Sequence, residues 1–266
     1  MEHPHVLLLT VAICLCASCQ SPDGKAVVSK GLWSQDGEEK AISMVLACGG
    51  KLTRDESLPG RPVVAVDLVA SLDVSDRNIG NLRPLKDLRR LQLAGIRITD
   101  AGLKELKDLR YLQDIGLAGT HITDAGLIDF LKEHRDLREL DIRQTEITHA
   151  TVMEIKELKA LEALQLGDNP ITDDDLIQIK ELKGLQFLSL IRTKVTDVGV
   201  RELKELKGLK TLYLGETDIT DACLQDLKEI RGLKELYLSG TKITHDALWD
   251  MRKAMPDTHI YFRESR

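Results

Sequence analysis

Four groupings of residues in this chain have types and spacings suited to chemistry or recognition. Glu139 and Asp141, with Asp114 on the same outer strand face, offer carboxylates of the kind general acid–base catalysis uses in pairs. Such a pair needs enclosure that pushes one pKa up, and an open strand face excludes little water. Asp173-Asp174-Asp175 presents hard oxygen ligands, but lacks the alternating ligand spacing and the glycine turn of a calcium loop. The seven histidines are scattered; His149 and His245 stand at helix starts without a second ligand at a metal-binding interval, and His134 replaces an expected leucine as a local accommodation. Neither a phosphate-cradling glycine loop nor a Cys/His set occurs, so neither a cofactor nor an enzymatic activity is expected. The fourth grouping suits recognition: Tyr213, Tyr237 and Tyr261 recur every 24 residues, accompanied by Arg143 and Arg192.

That interval is the beat of the whole chain. Leu206–Asp221, LKGLKTLYLGETDITD, is repeated almost end to end, with its middle apolar residue at Leu91, Ile115, Leu140, Leu164, Leu188, Leu212 and Leu236. The closing threonine keeps step at Thr99, Thr123, Thr148, Thr172, Thr196, Thr220 and Thr244. Steps are 24 residues with a single 25, a period that signals a solenoid of stacked units. Within L-x-L the leucines alternate with polar residues and so point to one side of a short strand. In the return segment Leu224, Leu227 and Ile230 fall on one side of a helix or turn behind the sheet. The threonine of I-T-D is a good N-cap and the aspartate after it suits the positive helix end. Thr120, Thr145, Thr193, Thr217 and Thr241, with Asn169 in the same slot, are placed to bond the backbone of the turn. Ile128, Met153 and Ile177 form an apolar column on the return segments, read as half-buried packing.

Aromatics make up 3% of the 266 residues and charged residues 30%, which fits a leucine core under a charged skin. The net charge is −6 without a basic stripe, which argues against nucleic-acid binding. Of five cysteines, Cys48 and Cys223 lie at opposite ends of the array. Six or more strands at about 4.8 Å hold them roughly 30 Å apart, too far for a disulfide.

Residues 6–18 are an uninterrupted apolar run too short to span a bilayer, laid out as a secretory signal. Cys16-Ala17-Ser18-Cys19 resembles a bacterial lipoprotein box, which implies lipidation at Cys19, although Cys16 stands where that family prefers leucine and residues 1–5 lack Lys and Arg. The expected organisation is a signal peptide over 1–18, a tether over 19–35, an N-terminal cap over 36–62, a solenoid over 63–262 and a tail over 263–266. In the cap, Asp36 with Glu39 suggests a capping box opening a helix, followed by a strand near Lys51–Arg54.

The recurring skeleton resembles the leucine-rich repeat family, L-x-x-L-x-L-x-x-N-x-I in general form. The I-T-D-A-G-L run (Ile98–Leu103, Ile122–Leu127) is closest to its cysteine-containing subclass, with Thr in place of Cys and units about two residues shorter. The resemblance implies an α/β solenoid: a curved parallel sheet of about nine strands on the concave side, helices on the convex side, and protein recognition on the concave face.

Outward strand positions line up as columns. One carries the three tyrosines; another is small except at Arg143 and Ile191. The residue beside it is Gly95, Gly119 and Gly240 towards the ends, but Gln144, Asp168, Arg192 and Glu216 in the middle, with Phe187 nearby. A mid-array change of this kind marks a partner footprint at Asp141, Arg143, Asp168, Phe187, Ile191, Arg192, Tyr213 and Tyr237. The expected function is a non-catalytic protein-interaction module of the bacterial cell envelope, exported and lipid-anchored or otherwise periplasmic or secreted. Membrane contact is expected only through the N-terminal anchor. The alternative is an adhesive or structural protein binding surface polysaccharide, with tyrosines stacking on sugar rings; a third reading is one subunit of a larger assembly.

Overall fold

The computed structural model describes residues 35–263. The expected leader, the Cys19 lipidation site and residues 19–34 of the tether lie outside them. The strands are β1 (Lys51–Arg54), β2 (Val63–Asp67), β3 (Arg90–Gln92), β4 (Asp114–Gly116), β5 (Glu139–Asp141), β6 (Ala163–Gln165), β7 (Phe187–Ser189), β8 (Thr211–Tyr213), β9 (Glu235–Tyr237) and β10 (His259–Tyr261). They form one sheet in chain order, with β2 to β10 parallel and β1 antiparallel to β2. Nine parallel strands match the repeat count, and the tenth belongs to the cap. The register is fixed by the beat: Leu188 faces Leu212, and Leu212 faces Leu236.

Each three-residue strand from β3 to β9 buries its middle side chain and turns its two flanks outward. Leu91, Ile115, Leu164, Leu188, Leu212 and Leu236 are all 0% exposed. Burying such a side chain stabilises by about 1.5–3 kcal/mol, so the period is a ladder of equal contributions. Behind the sheet lie α2 (Asp100–Lys104), α3 (Asp124–Glu133), α4 (His149–Ile155), α5 (Asp173–Ile179), α6 (Asp197–Val200), α7 (Leu224–Lys228) and α8 (His245–Ala254). Along them Ile128 is half-buried, but Met153 and Ile177 are 39% and 42% exposed, more open than the half-buried packing expected of that column.

The first core layer is covered by β1 and by α1 (Gln35–Ala47), which buries Ala41 and Val45. Asp36 stands inside this helix, not at its N-cap: the helix starts two residues earlier than the Asp36/Glu39 pattern predicted. Cys48 and Cys223 are free thiols, the latter fully buried, its pKa pushed up by loss of water.

The I-T-D motif does more than start a helix. In six places the aspartate accepts two hydrogen bonds from the next repeat's threonine. Asp76 clasps Thr99, Asp100 Thr123, Asp124 Thr148, Asp173 Thr196, Asp197 Thr220 and Asp221 Thr244. For Asp100 the backbone N–H lies at 2.9 Å and the hydroxyl at 2.6 Å. In four repeats the threonine hydroxyl also accepts from the amide two residues on, as from Ala101 at 3.2 Å, so one oxygen links two repeats and caps a helix. Burial pushes the Asp124 carboxyl up, but hydrogen bonds from Thr148 and Thr151 outweigh it and hold its pKa below the usual range. The second threonine slot behaves as expected, each hydroxyl donating to the carbonyl three residues back, as Thr193 does to Leu190 at 2.7 Å.

At Thr172 the pattern breaks, because His149 replaces the aspartate that would clasp it. Thr172 instead donates through its amide to its own Asp175 at 2.8 Å, a capping box, and His149 Nδ1 lies 2.7 Å from the other Asp175 oxygen. The acidic triplet is thereby accounted for: Asp173 clasps Thr196, Asp175 is buried in this junction, and Asp174 is exposed. His149, read from sequence as an exposed helix start, is thus a partner of a buried carboxylate.

The 25-residue repeat lengthens α3 and ends on His134, which is 2% exposed and stacked on Phe130 with centroids 3.9 Å apart. Its Nδ1 lies 2.8 Å from the Phe130 carbonyl, while Nε2 has no hydrogen-bond partner of proper geometry. Burial holds its pKa below the ordinary histidine range.

Two outcomes follow. Asp100→Ala should lower unfolding stability by about 1–3 kcal/mol in urea melts, the range for hydrogen bonds to a charged acceptor, whereas Asp174→Ala should change it by less than about 0.5 kcal/mol. His134 is neutral when folded and its pKa is depressed, so its share of stability is intact above the unfolded-state histidine pKa and is lost as pH falls below it. His134→Leu should therefore flatten the decline of thermal midpoint between pH 7 and pH 5; an unchanged slope would refute the assignment.

Candidate interaction face

The outer face of the sheet gathers the predicted residues onto neighbouring strands, in two chemically different parts. On β5 and the turn after it, Asp141 and Arg143 point the same way. Arg143 donates to both carboxylate oxygens, Nε at 2.9 Å and Nη2 at 2.7 Å, which holds the guanidinium flat against the sheet. This fork keeps the Arg143 pKa above its ordinary value. Two repeats further along the turn edge, Arg192 sits between Asp168 at 3.5 Å and Glu216 at 2.8 Å. The Glu216 carboxyl is in turn held below its usual range by Arg192. Glu216 was noticed in sequence only as part of a variable column; its role as third member of the ladder needs the register.

The second part is aromatic. Tyr213 and Tyr237 stack with centroids 3.9 Å apart and planes 5° from parallel, and Tyr237 stacks on Tyr261 at 4.3 Å and 7°. Phe187 leans on Tyr213 at 5.3 Å and 42°. In-register parallel strands bring identical side chains together in this way. The inner ring faces are consequently occupied by one another, which leaves ring edges to the solvent, while the Tyr237 hydroxyl donates to Glu235 at 3.3 Å. The Tyr213 hydroxyl, then loss of water, push the Tyr237 phenol above the usual tyrosine range. Ile191, half-exposed, lies on the turn beside Arg192.

Two of the three carboxylates singled out in the sequence are already engaged by donors. Asp114 is engaged by Arg90 and by Gln92 at 2.8 Å, and Asp141 by Arg143. A Cβ at Gly116 would fall 1.9 Å from the Gln92 amide oxygen, so the Gln92 side chain, which donates to Asp114, would have to move aside. Glu139 is the exception that sequence reasoning missed: partial burial, then the facing Asp114, push its carboxyl up. The signal was available, since a 25-residue step places Asp114 directly opposite Glu139. Among the described residues no set of three or more His, Cys, Asp or Glu side chains could hold a metal ion. A cleft of about 600 Å³ between α2 and α3, lined by Leu103, Phe130, Lys104 and Lys107, lies on the helix side, away from this face.

The variable column has a backbone meaning that composition conceals. Ala70, Gly95, Gly119, Gln144, Asp168, Arg192, Glu216 and Gly240 all have φ between +53° and +77°, the left-handed region. Glycine occupies it without strain, whereas an L side chain is disfavoured by about 1 kcal/mol or more. The four middle repeats therefore keep an unfavourable residue where neighbouring repeats use glycine. Gln144→Gly should raise unfolding stability by about 1 kcal/mol in denaturant melts; a loss of stability would show that the Gln144 side chain has a structural role of its own.

A family model described as Leucine Rich repeat matches residues 159–179. No curated protein matches the chain. Among solved structures, internalin C2 from Listeria monocytogenes strain 4b F2365 superposes with a TM-score of 0.61 at 21% identity, covering 84% of this chain and 92% of that one. The repeat beat, the ten-stranded sheet and this superposition agree: the chain is an α/β leucine-rich repeat solenoid.

Proposed function

We propose that this chain is a non-catalytic protein-recognition module of the bacterial cell envelope, which grips a protein partner on the open, concave face of its sheet. The observation that carries the reading is the run of left-handed corners at Gln144, Asp168, Arg192 and Glu216. Strain is retained there in consecutive repeats, beside the forked Arg143 and the aromatic strip, while glycine serves the repeats on either side. Ala70 holds the same corner in the first repeat, but only the middle run places long or charged side chains there. The footprint comprises Asp141, Arg143, Asp168, Phe187, Ile191, Arg192, Tyr213 and Tyr237. Arginine and tyrosine are the side chains that contribute most at protein interfaces, and here both are held in place before a partner arrives.

The polysaccharide reading depends on free aromatic faces, and the stacking of Tyr213, Tyr237 and Tyr261 leaves few of these. Protein recognition through ring edges, hydroxyls and fixed guanidinium groups is favoured. In this reading the chain is exported by its apolar leader and held at the membrane by lipid on Cys19. Palmitate labelling of wild type but not of Cys19→Ala is the expected result, and an unlabelled wild type would remove the anchor.

Photo-crosslinking from position 192 or 213 in native cells, followed by identification of the attached protein, tests the face. Against that partner, Arg143→Ala, Arg192→Ala and Tyr213→Ala should each weaken binding about 5- to 30-fold, corresponding to roughly 1–2 kcal/mol. Wild-type affinity in all three, with unchanged thermal midpoints, would place the partner elsewhere.

A further inference from the structure

The two ends of the solenoid differ. At the first parallel strand, β1 and α1 cover the core, and Val66 and Leu68 are 1% and 0% exposed. At the other end β10 is the last element among the described residues, and its core positions are incompletely covered. Ile260 and Phe262 are only half-buried, where Leu236 and Leu238 one repeat earlier are 0% exposed. Tyr261 ends the ring stack with one face covered by Tyr237 and is 44% exposed, and Trp249 on α8 is 61% exposed.

No strand lies beyond β10 among the described residues. His259 donates to Lys234 at 2.7 Å, and the carbonyls of Tyr261 and Arg263 accept from Leu238 and Gly240. Residues 259, 261 and 263 thus turn their main chain towards β9, and strand alternation turns that of Ile260 and Phe262 to the free edge. A side-chain donor that reaches it is the exposed Arg252, 3.3 Å from the Ile260 carbonyl.

We propose that a second copy of this chain docks here, by antiparallel pairing of β10 with β10 about a two-fold axis at Tyr261. In that register Ile260 of each copy exchanges main-chain hydrogen bonds with Phe262 of the other. Tyr261 meets its own counterpart at the closer, non-hydrogen-bonded site, which continues the ring stack across the axis. Charge favours the same arrangement. The axis sets the two α8 helices antiparallel on one side of the sheet, so the acidic first turn of one (Asp246) faces the basic last turn of the other (Arg252, Lys253). Half-exposed Ile260 and Phe262 then close a shared core, and the two interaction faces become one continuous sheet.

The test uses the full chain in mild detergent. Sedimentation should give a dimer for wild type. Ile260→Pro, which removes an edge-facing N–H and no bond to β9, and Tyr261→Asp, on the outer face, should each raise the dissociation constant at least tenfold with an unchanged circular dichroism spectrum. Under oxidising conditions Tyr261→Cys should form a disulfide-linked dimer, and Ile260→Cys, whose side chain points into the core, should form none beyond the wild-type background from native cysteines. A monomeric wild type overturns the proposal, as does a dimer that survives both edge variants or is not trapped by Tyr261→Cys.

Discussion

No turn of this coil can bury its own leucines; each layer is completed only by the turn before it and the turn after it. A three-residue strand such as Leu212 with its flanks has one core side chain and two outward ones. Alone it would leave that leucine wet on both sides. Stability is therefore a sum of neighbour-to-neighbour terms, and anything that holds adjacent turns in step acts on the whole. The Asp–Thr clasp is the polar form of that constraint. It joins successive repeats at a fixed height behind the sheet, while the leucines join them within the core, so the two ladders enforce one register.

Sequence reasoning reads well those features that depend on one residue type recurring. The strands around Leu91 to Leu236, the short strand near Lys51–Arg54 and the second threonine slot are all visible, because each follows from period, alternation or a local hydrogen bond. The features that escape it join residues a whole repeat apart, or depend on backbone angle. Asp100 looks like a helix-start aspartate whichever threonine it serves. Gln144 and Gly119 occupy one left-handed corner, although nothing in a glutamine suggests positive φ. The tyrosine column is legible as a column, but the face-to-face stacking of its rings is not, and that stacking changes what the strip can bind.

The interaction face has the same logic in its electrostatics. Arg143 and Arg192 are not loose cations on a surface; each is already held by carboxylates of its own chain. A partner that meets them encounters donors whose geometry is set, at the expense of the attraction they could otherwise offer. In the proposed recognition role such a face would discriminate by shape and direction more than by net charge, which fits a chain whose acidic and basic residues are interspersed throughout.

The displaced clasp at His149, Asp175 and Thr172 has a mechanical consequence. At this joint the aspartate ties a threonine of its own repeat, and an imidazole, 55% exposed, reaches that buried carboxylate in place of the clasp, while Asn169 bonds Thr145 and the Ile142 carbonyl across the same joint. A coil peeled from either terminus would meet a seam between its fourth and fifth rungs where the fastening changes kind.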